Sequence, residues 1–147
     1  MSPHLDESLC TKYPLIFADR HASMMETLMC WGFDCGDGWY DIIDTLCGEI
    51  QHHIDNRKRN REVLLKKETF DPNMVPEEIP QVIAVQVKEK FGSLRFYYDG
   101  GDDYINGVVR MAESMSSKIC MTCGKPGEMI TKGWWHVACD EHWKDDL

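Results

Sequence analysis

Apolar residues recur at helical spacing between Trp39 and Ile54 and predict the clearest amphipathic helix of the chain. One face carries Trp39, Ile42, Ile43, Leu46, Cys47, Ile50 and Ile54, while the opposite face is polar. Asp37 precedes this segment, and its charge suits the positive end of a helix, so we predict it as the N-cap. The helix is expected over residues 39–55, and it either continues into the basic run that follows or ends there.

An alternating pattern replaces the helical one after residue 82 and predicts two β-strands. The inward positions of this pattern are Ile83, Val85 and Val87 in the first strand and Leu94, Phe96 and Tyr98 in the second. Between the two strands lies Phe91-Gly92-Ser93, where we expect the turn of a hairpin.

Two further segments have helical patterns. Residues 18–30 form a short candidate helix with Ala22, Met25, Leu28 and Met29 inward. The segment DYINGVVRMAESMSSK, residues 103–118, predicts an amphipathic helix that is capped by Asp102 or Asp103. Its inward residues are Ile105, Val108, Met111, Ala112 and Met115. Helices, a small antiparallel hairpin and a Cys-rich C-terminal unit together predict an α+β fold.

The length of 147 residues and an apolar content of 43% suit one domain with its own core. Because the composition changes near Ser116, we expect a core domain over residues 1–116 and a smaller unit over residues 117–147. The sequence shows no signal peptide and no apolar run of membrane-spanning length, so a cytoplasmic protein is expected. Thiols stay reduced in that compartment, and seven cysteines therefore indicate metal binding, packing or catalysis before disulfides.

The charge is acidic overall, with a formal net value of −9, and this disfavours a general nucleic-acid coat. Residues 57–67 (RKRNREVLLKK) are the exception, since they hold six of the 16 basic residues and one acid. The basic residues of this run are Arg57, Lys58, Arg59, Arg61, Lys66 and Lys67. They could bind phosphate or an acidic partner, and a solvated helix end is the simpler alternative.

The sharpest chemical signal is the pair Cys120-x2-Cys123 and Cys139-x2-His142 near the C-terminus. Four such donors suit a tetrahedral zinc ion, and Gly124 suits the tight turn after the first pair. Because four protein donors leave no position for water, we expect a structural zinc in a ribbon or knuckle. His136 is the competing histidine, but it lies within the predicted ribbon strand.

Trp134 and Trp135 follow the predicted bend of the ribbon near Gly133. Neighbours in a strand point to opposite sides, so at most one tryptophan can cover the zinc unit from the core. Packing is the preferred explanation of the pair, and the alternative is an exposed aromatic that stacks on a base or fills a partner's pocket.

Other clusters are weaker candidates. Cys30 and Cys35, with Cys10 and Cys47 as companions, could form a second metal site, but the spacing is loose. An aspartate stripe could imitate a nuclease metal site, although any solvated helix face looks the same. Its members are Asp37, Asp41, Asp44, His52 and Asp55. No catalytic motif stands out, and the sequence does not favour an enzyme.

Several blocks together resemble a family of small phage and prophage proteins over most of the chain after about residue 11. They are CWGFDCGDGWYDIIDTLC, VKEKFGSLRFYYDGGDDY, MAESMS and the closing CxxCGxPG…GWW…CDEH. The resemblance implies an accessory protein made in a bacterial cytoplasm, and it transfers no catalytic or binding residue. Such proteins frequently disable a host protein, so we expect an interaction protein whose partner is a host or phage protein, for example a defence or regulatory factor. The alternatives are a nucleic-acid-binding regulator that uses the basic run and a ribbon tryptophan and, last, a metal-dependent enzyme.

Overall fold

The computed structural model describes residues 1–143 and has mixed helical and strand structure, which confirms the α+β prediction. The helices of this region are α1 (Pro3–Lys12), α2 (Tyr40–Leu65) and α3 (Asp103–Ser116). The strands are β1 (Phe33–Asp34), β2 (Ile83–Lys90), β3 (Ser93–Asp99), β4 (Glu128–Ile130) and β5 (His136–Ala138). Short 3₁₀ turns lie at Met29–Trp31, Asp37–Trp39 and Pro72–Met74.

A three-stranded sheet of order β1-β2-β3 forms the centre of the fold, and α3 packs on it with α2 against α3. Strands β2 and β3 form the predicted antiparallel hairpin. Strand β1 pairs with β2 in parallel, which the sequence did not predict because two residues are too few to show an alternation. Trp39, Ile43 and Ile50 are fully buried in the core, as the helical pattern requires.

Helix α2 is longer than the predicted segment and continues through the first part of the basic run to Leu65. The predicted N-cap is wrong. Asp37 instead begins the 3₁₀ turn that precedes α2, and its carboxylate accepts a hydrogen bond from the Ser2 backbone N–H at 2.6 Å. That contact lowers the pKa of Asp37. The aspartate thus fixes the chain's N-terminal segment instead of capping the helix.

A β-bulge in β2 changes which residues of the first strand face the core. The register shifts between Ala84 and Gln86, so the strand turns its other face inward beyond this point. Ala84 and Val87 are fully buried, whereas the predicted Ile83 and Val85 are only half-buried. The alternation predicted the strand and the burial of Val87 correctly, but not the inward face before the bulge, because a bulge breaks the period of two.

The short helix predicted over residues 18–30 is wrong, since the segment forms turns. Met25 and Leu28 are exposed, and only Met29 of the predicted inward set is buried. The Thr27 hydroxyl donates to the Val85 carbonyl at 3.2 Å and accepts from the Met29 N–H at 3.1 Å. These two hydrogen bonds hold the backbone at Thr27 against β2, and they take the place of the backbone hydrogen bonds that a helix would form.

Helix α3 begins at the predicted cap, because the Asp102 carboxylate accepts a hydrogen bond from the Ile105 N–H. Its buried residues are Ile105, Val109, Ala112 and Ser116, so the predicted Met111 and Met115 are corrected to exposed positions. The helix also covers the free edge of β3. Its Ser116 hydroxyl accepts from the Leu94 N–H, and its Glu113 carboxylate accepts from the Phe96 N–H.

Candidate metal centre

Three thiols and one imidazole converge at the C-terminal end of the fold. The donor atoms of Cys120, Cys123, Cys139 and His142 all lie within 4.8 Å of one another. The Sγ atoms of Cys123 and Cys139 are 3.6 Å apart, and Nδ1 of His142 lies 3.3 Å from Cys139 Sγ and 3.6 Å from Cys120 Sγ. In a tetrahedral zinc site, sulfur–sulfur and sulfur–nitrogen separations are about 3.8 and 3.6 Å. The observed spacing therefore fits that coordination.

The first pair of donors lies on a tight knuckle. The Gly124 N–H donates to the Cys120 carbonyl at 2.9 Å, and the Cys120 N–H donates to the Lys125 carbonyl at 2.8 Å. Gly124 has a φ of 77°, a left-handed conformation that glycine adopts without cost. The turn brings the two thiols together, as the Cys-x2-Cys spacing predicts.

The second pair of donors, Cys139 and His142, is positioned by a two-stranded ribbon and the turn that follows it. Strands β4 and β5 pair antiparallel, with Met129 opposite Val137, and β5 ends directly before Cys139. The His142 N–H donates to the Cys139 carbonyl at 2.9 Å, so the backbone turns and carries the imidazole back. His136 lies outside the four-donor group, since it is buried in β5 with Nδ1 bonded to the Trp134 carbonyl at 2.8 Å.

The electrostatics of the group favour thiolates at two positions. Burial raises the pKa of the Cys120 thiol, but the backbone N–H groups of Cys123, Cys139 and Thr122 outweigh it and lower the pKa to about 6. Burial also raises the pKa of the Cys139 thiol, but the hydrogen bond to the His142 imidazole is the main effect that opposes burial, and the pKa of Cys139 is lowered overall. The same contact raises the pKa of His142. Thiolates are the form that binds a metal ion.

The knuckle docks on the loop before α2 through two glycines. A Cβ at Gly38 would lie 2.3 Å from the Cys120 carbonyl oxygen, and one at Gly36 would lie 2.1 Å from the Met121 carbonyl oxygen. The Gly38 N–H donates to that Met121 oxygen at 2.9 Å. Gly36 and Gly38 were not among the predicted site residues, although the two glycines of CGDGW are a sequence signal of close backbone approach.

The other cysteines do not form a second site in the described part of the chain. Cys120, Cys123, Cys139 and His142 are the group of His, Cys, Asp and Glu donors that residues 1–143 bring together. Burial raises the pKa of Cys35 to about 12 and that of Cys47 well above its ordinary value, and burial with Asp6 raises that of Cys10 to about 11. Thiols in this state are poor nucleophiles and poor ligands.

The aspartate stripe is a solvated helix face. Asp41, His52 and Asp55 are exposed, and Asp44 forms an ion pair with Lys12 at 3.0 Å. Of the described residues, these carboxylates do not gather into a metal-binding group. The stripe thus gives no support to the metal-dependent enzyme.

The basic run is spread along the far end of α2. Arg57 and Arg61 donate to the carbonyl oxygens of Glu77 and Pro76 and so hold the loop that follows. Lys58, Arg59, Lys66 and Lys67 are exposed. Arg57 lies 17 residues after the start of α2, or about 25 Å along its axis, while the metal centre adjoins that start. The basic run therefore lies far along α2 from the metal centre.

Both ribbon tryptophans project from the surface, so packing does not explain the pair. Trp134 is 74% exposed and Trp135 is 50% exposed. The ring of Trp135 meets that of Phe91 edge-on, with centroids 6.4 Å apart and planes at 70°. Phe91 was not among the predicted site residues, because a turn position gives no sign that its side chain meets the ribbon.

Comparison with known proteins adds no identification: no protein family, no curated protein and no solved structure matches the chain. Among residues 1–143, none of the helices has both the length and the apolar character that crossing a bilayer requires.

Proposed function

We propose that this protein is a zinc-stabilised binding domain whose role is to bind another protein. The observation that carries the proposal is the spacing of the four donor atoms at the metal centre, which all lie within 4.8 Å of one another, with three of the pairs 3.3 to 3.6 Å apart. Three thiolates and one imidazole are one of the donor sets that hold structural zinc. The ion would hold the knuckle to the second pair, and its closed coordination would leave no site for a substrate.

Zinc would supply stability that the C-terminal unit cannot obtain from packing alone. The ribbon strands have three residues each, and the knuckle is mostly exposed. A unit of this size has too little apolar surface to fold alone. Metal binding and local folding would then be one event.

A binding role follows from what surrounds this stabilised unit. Large apolar side chains are exposed at several places, among them Met25, Trp31, Trp134 and Trp135. Such residues are enriched in protein interfaces, where they fill pockets of the partner. The partner in this proposal is a host or phage protein, in keeping with the resemblance to phage and prophage proteins, and the activity is inhibition of a host defence or regulatory factor.

The experiment is a pull-down of the tagged, zinc-loaded chain from bacterial lysate treated with nuclease. We expect one protein to be recovered in stoichiometric amount, and Cys123→Ser, which removes one donor, to recover much less. Ser114→Ala is the matched control, because Ser114 is exposed on α3 and is not one of the four donors. Recovery of no protein in stoichiometric amount, or equal recovery by the donor variant, would contradict the proposal.

A further inference from the structure

The hairpin tip and the ribbon together form a groove that the metal centre does not use. Its walls are Lys88, Glu89, Lys90, Phe91, Gly133, Trp134 and Trp135, and its volume is about 610 Å³. We call this surface the aromatic groove. Phe91 is 66% exposed, so the groove contains three aromatic side chains that the fold leaves at least half open to solvent.

The backbone at Phe91 indicates that this side chain is placed for a contact outside the fold. Phe91 and Gly92 are the two central residues of the hairpin turn, with φ angles of 53° and 76°. Turns of this kind strongly favour Asn-Gly, since a residue with a bulky side chain is strained at positive φ. The Phe91 ring is 66% exposed and meets Trp135 and Lys90 beside it, so this conformation presents the ring to solvent instead of burying it in the core.

The rest of the turn is held firmly. A Cβ at Gly92 would lie 2.2 Å from Sδ of Met129, so the hairpin tip touches the ribbon closely. The Gly92 N–H also donates to the Glu89 carboxylate at 2.6 Å. The aromatic groove is therefore a preformed surface between two elements, and ordering it costs a ligand little.

The charge of the groove is opposite to that of the chain as a whole. Lys88 and Lys90 line it, and Lys90 Nζ lies 5.7 Å from the centre of the Phe91 ring. Its acidic residue, Glu89, is turned to the Gly92 N–H. Within residues 1–143, neither lysine forms an ion pair with a carboxylate. A cationic, aromatic surface in a chain of net charge −9 selects an anionic ligand with an apolar part.

We propose that the aromatic groove binds a short acidic segment of a partner protein. One large apolar side chain of the segment lies against Phe91 and Trp135, and neighbouring carboxylates face Lys88 and Lys90. This inference rests on the proposed function and names the surface and the chemistry of the partner.

A nucleic-acid strand fits these observations less well. Such a strand needs a cationic path for its backbone over several nucleotides, and the groove offers two lysines beside an acidic remainder. None of the residues of the basic run is among those that line the groove.

The test is selection from a library of random dodecapeptides displayed against the zinc-loaded full chain. We expect enrichment of peptides that combine acidic residues with a tryptophan, phenylalanine or leucine. Affinities are then measured for an enriched peptide, with Trp135→Ala and Lys90→Glu each weakening it about tenfold or more. Trp31→Ala is the matched control, because Trp31 is an exposed tryptophan outside the groove, and it should bind as the parent does.

Phe91→Asn separates binding from folding. Asparagine suits the turn, so this variant should melt at an equal or higher temperature while its affinity for the peptide falls about tenfold. A variant that merely damaged the fold would have a lower melting temperature as well as a lower affinity for the peptide.

Two outcomes of the selection would overturn the inference: no enrichment of any peptide, or enrichment of peptides without acidic residues. An affinity for the peptide that is unchanged in Phe91→Asn and Trp135→Ala would also overturn it. The fourth such outcome is that the protein binds oligothymidylate, a single-stranded nucleic-acid probe, and binds no peptide. If the partner captured from lysate still binds these two variants, the proposed function stands and the aromatic groove is not its site.

Discussion

The indole nitrogen of Trp39 donates a hydrogen bond to the carbonyl oxygen of Ile119, 2.9 Å away. Trp39 is fully buried where α2 begins, and Ile119 directly precedes the first donor of the metal centre. A core residue of the main fold thus anchors the chain at the point where it enters the knuckle.

Trp39→Phe should lower the free energy of unfolding by about 1–3 kcal/mol, because the Ile119 carbonyl loses its donor while most of the apolar contact is kept. Urea unfolding followed by circular dichroism measures this. Trp31→Phe serves as the control and should change stability by less than about 0.5 kcal/mol, since Trp31 is exposed. Equal effects of the two substitutions would show that the hydrogen bond contributes nothing.

Elemental analysis of protein purified without chelator should give one zinc per chain, because residues 1–143 bring together one group of four donors. Cys123→Ser should lose the metal and His142→Ala should weaken its binding. His136→Ala should retain the metal, as its imidazole lies outside the group. Two zinc ions per chain would revive the site at Cys30 and Cys35. A protein that contains no zinc would contradict the proposed function.

Removal of zinc by a strong chelator should loosen residues from about 117 onward and leave most of α2 and the β2–β3 hairpin folded. The apolar faces of these elements pack without the ribbon, whereas the knuckle depends on its ligands. Hydrogen exchange with and without chelator maps the change. We expect increased exchange also at Gly38, whose N–H bonds to Met121 of the knuckle. Uniform loss of protection through α2 would contradict this expectation.

Gly38→Ala and Gly107→Ala should have opposite effects. A Cβ at Gly38 meets backbone atoms of the knuckle at 2.3 to 2.7 Å, so we expect a loss of at least about 2 kcal/mol and weaker zinc binding. A Cβ at Gly107 meets nothing within 4 Å, and in the middle of α3 alanine should stabilise by about 0.5–1 kcal/mol. Thermal melts of both variants decide this, and a stable, zinc-replete Gly38→Ala protein would rule out the close docking.

Ser116→Ala should destabilise by about 1–3 kcal/mol, because the buried Leu94 N–H at the edge of the sheet loses its acceptor. Ser117→Ala is the matched control, since the Ser117 hydroxyl donates an exposed hydrogen bond to the Ser114 carbonyl of its own helix. Chemical denaturation of the two variants gives the comparison. Similar midpoints would mean that water replaces the lost hydroxyl.

Features that depend on local periodicity or spacing were predictable from the sequence. The apolar face of α2 follows a period of 3.6 over four turns, and the donor spacing predicted which four residues meet at the metal centre. Both signals lie within short stretches and need no knowledge of distant contacts.

Features that arise from contacts between distant segments were not predictable. The bulge in β2 reverses the buried face at Val85, and the left-handed backbone at Phe91 has no sequence signal, because Asn-Gly is the usual marker of such a turn. The same holds for the docking of Gly36 and Gly38 on the knuckle, which joins positions more than 80 residues apart.

That docking bears on how the protein can be cut or recombined. A boundary near residue 116 places Gly36, Gly38 and Trp39 on one side and the backbone they contact on the other. A fragment that ends there would uncover the Trp39 side chain. A C-terminal unit grafted onto another scaffold would lack Gly36 and Gly38, against which its knuckle packs. The two parts should therefore be inherited as a pair, and chimeras between related chains should fold only when both come from the same parent or keep both glycines.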